Sequence, residues 1–228
     1  MTLHGAHGSG RPEFMNCDLY VITDTTLSGG RPHEEIARLA IEGGADVIQL
    51  RDKGCSIPEL VASGKRVRAV TRRTGTLFIV NDRLDAAIAC GADGVHLGQD
   101  DMQVRSARAI APQDFLIGVS VGSRGEAQRA VKDGADYLAA SPVFPTAQKT
   151  ADRFCGLSGI HRIRDAVDVP LIAVGGIGMH NVCDVIQAGA DGVAVISAVV
   201  GQPDISGAAR ALKDRIMACK KEPVHRGR

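Results

Sequence analysis

Apolar residues gather along this chain in short, nearly unbroken runs rather than in strict alternation with polar ones. Eight such runs, at 19–23, 47–50, 77–80, 94–97, 116–119, 137–140, 171–174 and 192–196, are rich in Val, Ile, Leu and Ala. A run without polar alternation suits a strand covered on both faces, as in a parallel sheet. Between the runs the apolar positions take helical spacing, which predicts helices over 32–41, 58–71, 124–132 and 179–188. The tripeptide Gly-Ala-Asp occurs at 44–46, 91–93, 134–136 and 189–191, each time leading into an apolar run. Its glycine suits the left-handed residue that ends a helix, and its aspartate falls at the turn entering the next strand. Strands alternating with helices, at spacings too long for hairpins, predict an α/β fold, a single-domain (β/α)8 TIM barrel. An open doubly wound sheet would show a break in the alternation, and the sequence has none.

The barrel is expected over 15–219, preceded by a flexible extension at 1–14 and followed by a basic flexible tail at 220–228 that holds Lys220, Lys221, Arg226 and Arg228. A chain of 228 residues is long enough to bury one substantial core. The 27 Lys and Arg against 26 Asp and Glu leave a net charge of +1, so no global field recruits nucleic acid or an anionic membrane, and any anion site must be local. No apolar run approaches the roughly twenty residues of a membrane span, and the amino terminus has no signal-peptide pattern. The six cysteines, Cys17, Cys55, Cys90, Cys155, Cys183 and Cys219, show no metal-ligand spacing. In a chain this long they are expected as reduced thiols of a cytoplasmic protein. Whether it forms a homo-oligomer stays open.

On this fold, sites form where strands end and the following loops begin. Those positions hold Thr23 and Asp24; Gln49, Arg51 and Lys53; Asn81 and Asp82; His96, Gln99 and Asp101; Ser120; Ser141, Thr146 and Lys149; Gly175 and Gly176; and Ser197. Two cations and an amide around the second strand suit a diphosphate, Arg51 through its fork of donors and Lys53 as a point charge. Asp82 and Asp101 each have a plain alternative role as a helix N-cap. Taken together on one rim, they suit Mg²⁺ bridging diphosphate oxygens. The glycine-rich turn 175–178 and the end of the eighth run suit a monophosphate cradle, the fold's habitual phosphate location. His96 lies within a strand and has no partner at metal-ligand spacing, so a structural or substrate-lining role is expected. The long loop 142–156 has the length of a lid, with Thr146 and Lys149 able to close over bound anions.

The strings LYVITD at 19–24, QLRDK at 49–53, ND at 81–82, GADGVHLGQDD at 91–101, GVS at 118–120, PVFPT at 142–146, GGI at 175–177 and GADGVAVISA at 189–198 resemble the thiamine-phosphate synthase family. The resemblance covers all eight runs in order. It implies a transferase that joins 4-amino-2-methyl-5-(diphosphooxymethyl)pyrimidine to a thiazole phosphate, releasing diphosphate. By the same likeness Gln49, Arg51, Lys53, Asn81, Ser120 and Lys149 hold the pyrimidine diphosphate, with Arg51, Lys53, Ser120 and Lys149 as the catalytic set. Asp82 and Asp101 bind Mg²⁺, while Thr146, Ala147, Gln148, Gly176, Ile196 and Ser197 receive the thiazole phosphate. The implied chemistry is dissociative: diphosphate leaves, a pyrimidine-methyl cation forms, and the thiazole nitrogen captures it. Two loops depart from the family pattern. Gln148 stands where a hydroxyl or lysine is more usual, and Val121-Gly122-Ser123 replaces a hydroxyl-and-histidine turn. A thiazole tautomerase of the same superfamily would carry a histidine where this chain has Pro142. A non-catalytic barrel that binds a phosphorylated metabolite is the remaining alternative.

Overall fold

The computed structural model describes residues 17–145 and 154–221. In chain order the elements are β1 (Leu19–Ile22), α1 (His33–Glu42), β2 (Val47–Leu50), α2 (Ile57–Thr71), β3 (Leu77–Asn81), α3 (Leu84–Cys90), β4 (Gly94–Leu97) and α4 (Val104–Ile110). They continue as β5 (Leu116–Val121), α5 (Arg124–Lys132), β6 (Tyr137–Ala140), α6 (Gly156–Arg164), β7 (Leu171–Val174), α7 (Val182–Gln187), β8 (Gly192–Val195) and α8 (Ile205–Lys221). The strands form a closed parallel barrel in sequence order, with β8 pairing back onto β1. The (β/α)8 expectation therefore holds.

Strand alternation divides the apolar residues into two cores. Leu19, Val21, Ile48, Leu50, Phe78, Val80, Val95 and Leu97 face outward and pack against helix residues such as Ile36, Leu60, Val67 and Leu212. Tyr20, Ile22, Val47, Ile79, Leu116, Tyr137, Ile172 and Ala194 fill the barrel interior. Both faces are thus covered, which is why the runs read as continuous. The inward parity also carries Gln49, Asn81, His96 and Ser120, which lie toward the carboxyl ends of their strands. Register keeps those ends level, with Ile22 opposite Gln49 and Asn81 opposite His96.

Each Gly-Ala-Asp turn has the predicted conformation, with Gly44, Gly91, Gly134 and Gly189 at positive φ. The aspartates then knit the amino-terminal rim. Asp93 accepts from the Phe78 N–H at 2.8 Å and from both ends of the Arg68 guanidinium at 2.9 Å. Asp136 accepts from the Ile117 N–H at 2.7 Å and pairs with Arg108. Asp191 accepts from the Leu171 N–H at 2.7 Å and from Arg164 at 3.0 Å. Asp46 accepts from the N–H groups of Asp18 and Leu19 at 2.9 Å and from Lys213 at 2.6 Å. Each carboxylate ties its own strand to the neighbouring strand and to a helix, which is the one preceding that neighbour for Asp93, Asp136 and Asp191 and the last helix, α8, for Asp46.

Three expectations are corrected. The expected tail begins later than 220, because α8 includes Lys220 and Lys221, and Lys220 pairs with Asp18 at the foot of β1. The cysteines are not all reduced: Cys183 of α7 and Cys219 of α8 form a disulfide, their Cα atoms 5.3 Å apart. Side-by-side helix packing brings together two residues 36 apart in sequence, a pairing that local spacing does not show. The helix expected from 179 starts at Val182, because the Asn181 side chain accepts from the Gly178 N–H and donates to the Gly176 carbonyl, holding that stretch in a turn. The expected extension at 1–14 and the tail beyond 221 lie outside the described residues. Among the described residues no helix is long and apolar enough to cross a membrane.

Candidate active site at the carboxyl rim of the barrel

The site begins at β2. Gln49 is buried and donates from Nε2 to the Tyr20 hydroxyl at 2.8 Å. Just beyond the strand, the backbone N–H of Arg51 donates to Thr23 Oγ1 at 3.3 Å. That hydroxyl also meets His33 Nδ1 at 2.8 Å, and His33 Nε2 lies 3.4 Å from Asp52 Oδ2. The Asp52 carboxylate further accepts from the Gly54 N–H at 3.0 Å. Thr23, His33 and Asp52 therefore clamp the turn that carries Arg51 and Lys53. Burial opposes ionisation of Asp52, but the Gly54 N–H and His33 outweigh it and lower its pKa. Nothing in the local pattern of Pro32 and His33 signals this clamp, because it joins the β1–α1 connection to the separate loop after β2.

At the end of β3, Asp82 takes φ of 61°, and among the described residues it is the one non-glycine at positive φ. A non-glycine residue in the left-handed region is uncommon, and although Asp tolerates it better than most, such a position is held by its surroundings and often lies at a functional site. Its N–H donates to the His96 carbonyl at 2.8 Å, continuing the β3–β4 ladder past the strand. Neither acidic residue acts as a helix N-cap. The N-cap of α3 is Arg83 and that of α4 is Gln103. Asp101 instead turns its Oδ2 back to the Gly98 N–H at 2.6 Å. The Asp101 carboxylate lies close enough to act on that of Asp82. Burial, reinforced by Asp101 and only partly offset by Lys53, raises the Asp82 pKa above its ordinary value. Lys53 Nζ stands 3.5 Å from Asp82 Oδ2, an exposed contact that leaves the pair incompletely neutralised. Two neighbouring carboxylates with one loose cation are suited to share a further positive charge. Among the described residues no cluster of three or more His, Cys, Asp or Glu would hold a metal unaided.

His96 and Ser120 complete this side. His96 Nε2 lies 2.9 Å from Ser120 Oγ, and its Nδ1 lies 3.1 Å from the Tyr137 hydroxyl. Burial lowers the His96 pKa to about 4, so the ring is neutral near pH 7. The expected structural or lining role fits these contacts. Gln99, also on the rim, donates to the Ser120 carbonyl at 2.6 Å.

The opposite side is built from backbone. Gly175 and Gly176 both sit at positive φ, and a Cβ on Gly176 would lie 2.8 Å from Phe144 Cβ and 2.9 Å from the Pro145 carbonyl oxygen. The glycines thus turn the chain and also admit the loop after β6, whose Val143 and Phe144 N–H groups donate to Val174 at 2.9 Å and Gly175 at 3.1 Å. After β8 a helical turn begins, with the Val200 N–H donating to the Ile196 carbonyl at 2.7 Å. The first N–H groups of such a turn have no carbonyl behind them and point outward. Ser197 is exposed there, beside the half-buried Ile196. Asn181, which pins the glycine turn, was not singled out by the sequence.

Gln49, Arg51, Lys53, Asn81, Asp82, Asp101 and Ser120 thus gather along the β2–β5 part of the rim, and Gly176, Ile196 and Ser197 along the β7–β8 part. The expected contributions of Thr146, Ala147, Gln148 and Lys149, and with them the lid, lie outside the described residues.

Residues 19–199 match the family model described as thiamine monophosphate synthase. The chain is 61% identical over 209 residues to the thiamine-phosphate synthase of Methanoregula boonei, covering 91% of this chain and 97% of that one. It is 58% identical over 209 residues to that of Methanoculleus marisnigri, covering 91% and 99%. Among solved structures, thiamine phosphate pyrophosphorylase from Pyrococcus furiosus superposes with a TM-score of 0.84 at 44% identity, over 90% of this chain and 98% of that one. With the barrel, its polar rim and these relatives in agreement, the chain belongs to the thiamine monophosphate synthase family.

Proposed function

We propose that this chain is a thiamine-phosphate synthase, which joins 4-amino-2-methyl-5-(diphosphooxymethyl)pyrimidine to a thiazole phosphate and releases diphosphate. The observation that carries the reading is the pair Asp82 and Asp101, two neighbouring carboxylates that cap no helix, the first of them beside Lys53 on the rim. Two carboxylates match what Mg²⁺ takes from a protein when substrate oxygens and water fill the rest of its octahedron. The raised pKa of Asp82 supports that fit, since a site for a cation is strained without one. When bound there, Mg²⁺ would supply positive charge to the diphosphate as it departs.

In the reaction the bond between the pyrimidine methylene carbon and the diphosphate oxygen breaks, and its electron pair leaves with diphosphate. The lone pair of the thiazole nitrogen then forms the new bond to that carbon. No base is required to start this sequence. Arg51 and Lys53, with Lys149 from the loop, bind the diphosphate and oppose its growing negative charge. Ser120 adds a hydroxyl donor. Gln49 and Asn81 sit in the upper barrel, where amides can orient the pyrimidine. The turn at Gly176 and the first N–H groups after Ile196 offer a cradle for the thiazole phosphate, with Thr146 to Gln148 closing it. Water must be kept from the cation, which is the work assigned to the loop.

The test is release of diphosphate from the pyrimidine substrate by the purified full chain. Release that depends on Mg²⁺ and on added thiazole phosphate, with thiamine phosphate appearing in equal amount, is the expected result. Interconversion of thiazole phosphate tautomers without diphosphate release would replace this reading with the isomerase one, and binding without turnover would replace it with a phosphometabolite-binding barrel.

A further inference from the structure

The turn that brings Arg51 and Lys53 to the rim carries a carboxylate between them, in the order Arg51-Asp52-Lys53. Such a neighbour weakens a diphosphate site. A carboxylate there repels the anion and competes with it for the two cations. The structure gives Asp52 other partners. Its Oδ1 accepts from the Gly54 N–H at 3.0 Å, and its Oδ2 lies 3.4 Å from His33 Nε2. The ion pair of Asp52 is with His33, and that of Lys53 is with Asp82. Among the described residues, none joins Asp52 to Arg51 or Lys53.

His33 is placed for this contact by its own element and by Thr23. It opens α1, and although its ring is polar the residue is only 5% exposed. Its Nδ1 meets Thr23 Oγ1 at 2.8 Å, which holds the ring from the side away from Asp52. The connection that delivers it is tied within itself: the Leu27 N–H donates to Asp24 Oδ1 at 2.9 Å, the Ser28 hydroxyl to the Thr25 carbonyl at 3.0 Å, and Arg31 to the Ser28 carbonyl at 2.7 Å. An ionised carboxylate only accepts, so the bond to Asp52 takes a proton on Nε2. The turn after β2 already has two ties of its own, from the Arg51 N–H to Thr23 and from the Gly54 N–H to Asp52 Oδ1. What His33 adds is a partner for the other oxygen of Asp52.

We infer that His33 is a positioning residue that, with Thr23 holding its ring, keeps the Asp52 carboxylate engaged and so leaves Arg51 and Lys53 available to a diphosphate, an inference that rests on the reading of this rim as the diphosphate site. Loss of His33 should then matter only while position 52 carries a charge. A ring that merely held the turn in shape would be missed equally with Asp or Asn at that position.

The test is a double-mutant cycle on the full chain, with inorganic diphosphate and Mg²⁺ as the probe in titration calorimetry. His33→Phe fills the space of the ring without a hydrogen bond, and His33→Leu takes its place if that variant does not fold. Diphosphate should bind about fivefold more weakly to His33→Phe, the scale of one partly exposed charge contact. In an Asp52→Asn background the same substitution should cost less than about twofold. The bond to Thr23 is lost in both backgrounds, so it cancels in the comparison. His33→Gln, which keeps a donor, should recover most of the affinity. In turnover, the KM for the pyrimidine substrate should rise in His33→Phe while that for thiazole phosphate stays unchanged. An equal cost in both backgrounds, or no cost in either, overturns the inference. An unsubstituted chain that binds no diphosphate would instead reject the diphosphate site itself, and the role of His33 with it.

Discussion

The two ends of the barrel use the same residue types to opposite effect. At the amino-terminal rim, Asp46, Asp93, Asp136 and Asp191 each accept from a strand N–H and pair with a Lys or Arg of a surrounding helix. At the carboxyl rim, Asp82 and Asp101 stand close to each other with Lys53 loosely alongside. The pKa directions report the same contrast. Burial works against ionised Asp18, but Lys220 and Lys213 overcome it and lower its pKa, whereas burial and the neighbouring carboxylate raise that of Asp82. The lesson is that a charged residue in this fold speaks for stability where the protein itself supplies its counter-charge, and for function where it does not. The division agrees with the general habit of these barrels, in which chemistry occupies one face and folding energy the other.

The sharpest break of this comparison is a matched pair of substitutions. Asp82→Asn is expected to lower kcat/KM about 100- to 1,000-fold, in the range seen when a group opposing developing charge is removed. It should also raise Tm at neutral pH, because it removes a repelled carboxylate and because Asn tolerates the left-handed region well. Asp93→Ala should do the reverse. Leaving Arg68 half-buried without its partner should cost about 2–3 kcal/mol in chemical denaturation, with kcat/KM of the folded fraction unchanged. A loss of stability in the first variant, or of intrinsic activity in the second, would erase the distinction between the rims.

Metal addition should come next in size. Mg²⁺ at about 100 times its dissociation constant is expected to stabilise the protein by about 2–3 kcal/mol in thermal unfolding, and Asp82→Asn should abolish that gain. An equal gain in both proteins would place the cation elsewhere.

The smallest effects, of about 1 kcal/mol or less, lie in the pH dependence. The folded-state pKa of Asp18 is lowered, so its stabilising contribution is present above its ordinary value of 3.8 and is lost as pH falls through the folded value. Asp82 is raised from 3.8, so its contribution is present below that value and is lost as pH rises through the folded one. Tm followed against pH should therefore show Asp18→Asn flattening the acid arm, and Asp82→Asn lifting the curve on the side above pH 3.8. The same change of slope in both variants would contradict the assigned directions.

Legibility from sequence followed locality. The eight strands were readable because both of their faces are covered, which leaves unbroken apolar runs at Val47–Leu50 or Leu171–Val174. Helix ends were readable because Gly44, Gly91, Gly134 and Gly189 need positive φ. The rim residues followed from strand ends alone, so Gln49, Asn81, Asp82 and Ser120 were in view once the barrel was. The N-cap alternative for Asp82 and Asp101 was not decidable, since a cap and a ligand occupy the same place in the pattern. The Thr23–His33–Asp52 clamp and the helical place of Lys220 were missed because each depends on a partner far along the chain, whereas the Asn181 turn was missed although its partners Gly176 and Gly178 are local.

By itself the sequence determined the barrel and the polar groups at its strand ends, because strand periodicity and turn chemistry are local properties that survive without coordinates, while the ordered strings along the eight runs carried the resemblance to the family. Only the tertiary structure decided which aspartates are neutralised by the protein and which are left beside each other. It also decided that Tyr20, Tyr137 and His96 join Gln49 to Ser120 through the interior. Charge compensation and contacts across the interior depend on distances between strands that no local pattern records, and closure of the barrel sets those distances.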